Sequence, residues 1–207
     1  MKNIAALVTA AHQNAVNKGW WNEDRTYGEL IAFVHSEGNK ALEDYRNMNK
    51  TGRALIETWY EYPENMICYE GIDEEREFNG VLGKPCGIPS ELADVCIRIF
   101  DIAGRYGWGE MLEEYVSQFK LHLEEDWFEI DLKEASFPEK LMRIHQELTL
   151  SYIENKVDDG SPVGHLADAL YTTYLISKDC GIDLDQAIAE KMAYNATRPA
   201  RHGGKVI

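Results

Sequence analysis

Three acids interrupt an apolar helical pattern in the stretch IPSELADVCIRIFDIAGR: Glu91, Asp94 and Asp101. At about 100° per residue, these acids share an arc of roughly 80° with Arg98 and Arg105. Leu92, Val95, Cys96, Ile99, Phe100, Ile102 and Ala103 fill the remaining faces. An ordinary surface helix shows water a broader polar face. So narrow an arc points to acids lining a buried polar site. Ionised carboxylates are rarely buried without a partner, and a hard cation such as Mg²⁺ suits several at once. A solvated stripe of charge pairs is the plainer alternative.

A second constellation has the opposite sign. In EKMAYNATRPARHGGK, Lys191, Arg198, Arg201 and Lys205 cluster with His202 against a single acid, Glu190. Lys191, Asn195 and Arg198 recur at helical spacing on one face. A point charge, an amide and a forked guanidinium on one face suit a polyphosphate. The alternative is an exposed basic terminus. Elsewhere, Trp20 and Trp21 follow Gly19 and read as core packing rather than as a stacking surface. His35 and His145 lie opposite the glutamates of their helices, so a carboxylate or the metal is left to activate water.

Helices must position these groups, because no stretch shows sustained alternation of period two with turn signals. Apolar periodicity predicts an all-α protein with helices at about 2–18, 27–46, 50–61, 89–105, 109–125, 137–155, 162–180 and 184–196. The segment 65–89 is rich in glycine and reads as a long connection or a lid. Two ordered self-similarities are present. TYGELIAFVHSEGNKALEDY resembles SFPEKLMRIHQELTLSYIEN, pairing Tyr27 with Phe137, His35 with His145 and Glu37 with Glu147. PSELADVCIRIFDIAGRYGW resembles VGHLADALYTTYLISKDCGI, pairing Asp94 with Asp168 and Gly107 with Gly181. These matches predict a single domain, 1–207, with one repeat at about 1–125 and another at about 126–207. Two helix pairs packed face to face would form a pseudo-dimeric four-helix-bundle core, with peripheral helices around it.

The repeats differ chemically. Glu37, Lys40 and Asp44 share one face in the first repeat, where the second has Glu147, Leu150 and Glu154. Glu91, Asp94 and Asp101 correspond to His165, Asp168 and Leu175. Only the first repeat therefore keeps a full set of convergent acids, and His165 reads as a structural or surface residue.

Composition narrows the functional classes. The chain has 207 residues, 44% of them hydrophobic, and a formal charge of −15. That charge argues against general nucleic-acid binding, which favours a basic stripe. The first twenty residues read as an amphipathic helix, too short for a membrane span and without a signal-peptide pattern, which predicts a cytoplasmic protein with no membrane partner. Cys68, Cys86, Cys96 and Cys180 form no C-x-x-C pair and read as reduced thiols.

The helices carrying HSEGNKALEDYR and ELADVCIRIFDIAGR, and above all the EKMAYNATRPARHGGK tail, resemble the MazG-like branch of the all-α nucleoside triphosphate pyrophosphatases, common in phages and bacteria. The resemblance implies Mg²⁺-dependent hydrolysis of a nucleoside triphosphate to a monophosphate and pyrophosphate. It assigns Glu37, Glu91 and Asp94 as catalytic acids and metal ligands. It assigns Lys191, Asn195 and Arg198, with Arg201 beside them, to the substrate. Lys40 stands where the family's E-x-x-E motif has its second acid, and a lysine cannot ligate a hard cation. Two substitutes are open: Asp44 as a metal ligand through water, or Lys40 as a fixed positive charge toward the substrate. A non-catalytic nucleotide-binding protein of the same build and an acidic helical interaction protein are the alternatives. Homodimerisation is compatible with each.

Overall fold

The computed structural model describes residues 3–63, 75–122 and 134–200. Seven helices lie among them: α1 (Ile4–Asn17), α2 (Tyr27–Thr51), α3 (Ile88–Tyr106), α4 (Gly109–His122), α5 (Phe137–Glu154), α6 (Pro162–Asp179) and α7 (Leu184–Thr197). The short strands β1 (Trp59–Glu61), β2 (Glu77–Phe78), β3 (Val81–Leu82) and β4 (Lys84–Cys86) form two ribbons, β1 with β4 and β2 with β3, both antiparallel. The fold is all-α, as the periodicity predicts. No helix among the described residues is long and apolar enough to cross a membrane.

Helix boundaries follow local chemistry. Thr26 caps α2 in a capping box with Glu29, and Ser136 with Glu139 does the same for α5. The repeat alignment pairs these two caps. It also pairs Gly107 and Gly181, which follow α3 and α6 at φ 72° and 77°. Only glycine enters that region without a steric penalty, so both helices stop at the equivalent place.

The expected helix at 50–61 does not form. Gly52, at φ 71°, ends α2 one residue after Thr51. Trp59, Tyr60 and Glu61 then pair with Cys86, Pro85 and Lys84. Large aromatic residues suit a paired strand, and their partners lie in a segment that periodicity read as loop. Asn79 and Gly80, both at positive φ, turn β2 back into β3. Residues 64–74 of the glycine-rich connection lie outside the described residues.

α3 is the central element. Leu92, Ala93, Val95, Cys96, Ile99, Phe100 and Ala103 are fully buried, and the helix packs against α1, α2, α6 and α7. α1 approaches it closely because residue 104 is glycine: a Cβ there would lie 2.3 Å from the Cβ of His12. α2 packs on α3, α5 on α6, α2 on α5, and α3 on α6, so these four helices close a ring. At the α2–α5 contact the paired residues His35 and His145 stack, with centroids 4.9 Å apart and Nδ1 atoms 2.7 Å apart. Burial holds both imidazoles below their ordinary pKa, which suits one neutral ring donating to another.

Among the described residues Cys86, Cys96 and Cys180 are free thiols, the first two buried. Cys68 lies outside them.

Candidate functional site

α2 and α3 bring Glu37, Glu91 and Asp94 together, each offering an oxygen within 4.8 Å of the others. Glu37 and Glu91 are 1% and 8% exposed. Along the narrow polar arc of α3, Glu91 is buried, Asp94, Arg98 and Asp101 are half-buried and Arg105 is exposed, so the arc runs from a buried end to a solvated one.

Each acid meets a different environment. Glu37 accepts hydrogen bonds from Arg98 Nε at 3.0 Å through Oε1 and from the Lys40 ammonium through Oε2. Asp94 Oδ2 lies 2.9 Å from Lys191 Nζ. Glu91 Oε2 is buried and accepts no hydrogen bond, with the Lys40 ammonium 4.0 Å away. Glu91 sits in the first turn of α3, where the helix dipole favours a carboxylate. Burial outweighs that benefit and pushes its pKa up to about 7; Asp94 and Glu37 raise it further, while Lys191 and Lys40 oppose the rise. An unsatisfied carboxylate oxygen flanked by two further acids is a donor set that fits a hard cation.

Asp44 is not one of these three. One turn beyond Lys40 on α2, it has Lys84 of β4, Glu43 and Glu61 of β1 among its charged neighbours, and burial raises its pKa. Lys84 and Glu61 of the β1–β4 ribbon, remote in sequence, therefore enter its charged surroundings.

Lys191 also departs from its expected role. It is 3% exposed, and its ammonium donates to Ser90 Oγ at 2.7 Å and Pro85 O at 3.2 Å as well as meeting Asp94. Burial works against its charge, but Asp94 and Glu91 more than offset this and raise its pKa. Lys191 thus reaches the site through Asp94. It also ties α7 to β4 and to the start of α3.

Asn195 and Arg198 do face open space. Both line a cavity of about 230 Å³ with Trp20, Phe33, Asp94 and Arg98. Asn195 Oδ1 is buried without a hydrogen-bond partner. Arg198 is half-buried, and its guanidinium lies 5.7 Å from the Tyr194 ring, with no carboxylate partner among the described residues. Proline at 199 forces Arg198 into extended backbone at φ −68°, ψ 148°, and so ends α7. Lys18 at the end of α1 fixes this terminus by donating to Ala196 O at 2.7 Å and Arg198 O at 2.5 Å. Arg201, His202 and Lys205 lie outside the described residues.

The Trp20–Trp21 side of the cavity wall was missed by sequence reasoning. Asp101 accepts hydrogen bonds from His12 Nδ1 at 2.8 Å and Trp21 Nε1 at 2.9 Å. This anchors α1 and the Trp20–Trp21 turn over α3. Trp20 and Trp21 are half-buried and line the cavity, and Trp21 also packs against the hydrophobic core as expected. One signal was available: a buried indole N–H needs an acceptor, and Asp101 lies in the polar arc of α3.

The second repeat assembles its equivalent group. Glu147, His165 and Asp168 also place ligand-type atoms within 4.8 Å, and His165 Nδ1 donates to Glu147 Oε2 at 2.9 Å. All three are half-buried. Burial raises Asp168 to about 6, with Glu147 adding to the rise and His165 opposing it.

No protein-family model, curated protein or solved structure matches this chain.

Proposed function

We propose that the chain is a Mg²⁺-dependent nucleoside triphosphate pyrophosphohydrolase of the MazG-like type, acting on cytoplasmic nucleotides to release a monophosphate and pyrophosphate. One observation carries the reading: a single cavity joins a guanidinium with no carboxylate partner among the described residues, an unpartnered amide oxygen and aromatic walls to Glu37 and Asp94 of the acid cluster. In this reading the two helix pairs are tandem copies of one unit. The first contributes the acids, and the helix after the second contributes the phosphate contacts.

Glu91 and Asp94 would hold the ion, with Glu37 behind them. Bound there, Mg²⁺ would neutralise phosphate charge and lower the pKa of a bound water. Arg198 would take phosphate oxygens through its fork. Asn195 Oδ1 would accept a donor from the sugar or base, while Trp20 and Phe33 present ring surface to the nucleoside. Lys191 would keep Asp94 ionised and in place.

The test is pyrophosphate release from a panel of ribo- and deoxynucleoside triphosphates with and without Mg²⁺. Mg²⁺-dependent release from at least one nucleotide is expected; no release from any would overturn the enzymatic reading. A second reading, a nucleotide-binding protein without turnover, has one observation in its favour: Lys40 and Arg98 already occupy both oxygens of Glu37. It predicts thermal stabilisation by a nucleotide that is not hydrolysed.

A further inference from the structure

We infer that Lys40 and Arg98 withhold Glu37 from the metal ligands, so that Glu91 and Asp94 hold the ion and Lys40 sets its affinity. This rests on the metal reading proposed above and specifies which side chains serve it. The acid cluster alone would not justify a site. The second observation is Glu91 Oε2, which has no hydrogen-bond partner in a side chain that belongs to a residue only 8% exposed.

Glu37 is the opposite case. Its carboxylate is 2% exposed, and Arg98 and the Lys40 ammonium each hold one of its oxygens. A cation seeking Glu37 must therefore displace a charge-assisted hydrogen bond where water cannot replace it. The two competitors differ. The Arg98 side chain is one-third exposed, and its guanidinium lies 5.6 Å from the Phe33 ring and 6.0 Å from the Trp20 ring. The Lys40 side chain is 56% exposed, on a flexible stem at the rim. Arg98 is a fixed partner of Glu37, whereas Lys40 can be removed. Its ammonium is also 4.0 Å from the orphan oxygen of Glu91, so it repels any ion bound there.

A double-mutant cycle with Mn²⁺ as the hard-cation probe tests the assignment, scoring only the binding that Glu91→Gln removes. Binding is followed by water proton relaxation and folding by circular dichroism. Lys40→Met is expected to tighten Mn²⁺ by at least about tenfold, the scale on which neighbours of metal ligands act. Glu37→Gln should then cost at least about tenfold more in the Lys40→Met chain than in the native one, because the freed carboxylate has joined the ligands. Equal costs in the two backgrounds would overturn the inference: if large, Glu37 is a ligand already, and if negligible, removing Lys40 does not free it. So would unchanged affinity in Lys40→Met, which alters an exposed side chain and decides the matter alone if Glu37→Gln does not fold. Absence of any Glu91-dependent Mn²⁺ binding would instead overturn the metal reading itself.

Discussion

Glu37, Glu91 and Asp94 in one half and Glu147, His165 and Asp168 in the other occupy positions that the repeat alignment equates, and both sets converge within the same 4.8 Å. Their surroundings differ. The first set lies deeper, with Lys40, Arg98 and Lys191 upon it and a cavity beside it. Around the second, Thr172 stands in the place of Arg98 and Leu175 in that of Asp101, both buried. Convergence of acids is thus a consequence of how such helix pairs pack. In the proposed reading, what would make one cluster a ligand site is what lies next to it: α7, a guanidinium with no carboxylate partner among the described residues, and open volume. The second half, where the sequence has no full set of acids, still assembles a convergent group. Its set is present, but it is assembled with an imidazole in place of a carboxylate.

The largest expected effect tests that difference directly. Glu91→Gln removes the orphan carboxylate and is expected to lower Mg²⁺-dependent pyrophosphate release by at least about hundredfold, as loss of a metal ligand does. His165→Gln should leave the rate within about threefold, since its ring serves Glu147. Comparable losses from both changes, in folded proteins, would mean that the second cluster also works on the nucleotide.

Lys191 and Arg198 sharpen the contrast within α7. Removing one partner of a buried charge pair costs about 3–5 kcal/mol, so Lys191→Met should lower the melting temperature markedly, leaving Asp94 and Glu91 uncompensated. Arg198→Ala should leave the melting temperature near native. It should weaken nucleotide binding by about 1.5–3 kcal/mol, the value of hydrogen bonds to a charged group, measured by titration calorimetry. If Arg198→Ala binds nucleotide as well as the native chain, the guanidinium is not a phosphate ligand.

These pairs show what could be read from residue order. Caps and periodicity depend on neighbours within a turn, so the start of α2 at Tyr27, the stop at Gly107 and the acids of α3 were legible. The shared face of Lys191, Asn195 and Arg198 was legible too, but not the division of labour on it. Lys191 turns inward because Pro85 O and Ser90 Oγ, about a hundred residues earlier, accept its protons. The strand at Trp59 and the separate setting of Asp44 were hidden for the same reason: both depend on the distant segment that carries Lys84. Trp21 found its acceptor in Asp101 across 80 residues. Long-range pairing, rather than weak local signal, set the limit.

The smallest effect compares the two clusters without metal or nucleotide, through the pH dependence of stability. Burial raises Glu91 to about 7 and Asp168 to about 6. A raised folded-state pKa means that the native protein binds a proton more tightly than the unfolded chain does. Stability from that proton is fully present below the ordinary carboxyl range. It is lost as pH rises through the folded value, beyond which the buried group is ionised at a cost. Replacing Glu91 with the neutral isostere Gln removes that cost, so the metal-free variant should melt at least about 2 °C above the native protein at pH 8 and close to it at pH 5. Asp168→Asn should act in the same sense but less, with its effect setting in about one pH unit lower. Thermal melts in a chelating buffer from pH 4.5 to 8.5 measure both curves. A Glu91→Gln protein less stable than native at pH 8 would mean that Lys191 and Lys40 more than compensate the ionised carboxylate. The first cluster would then be a closed salt-bridge network with no unmet demand for a cation.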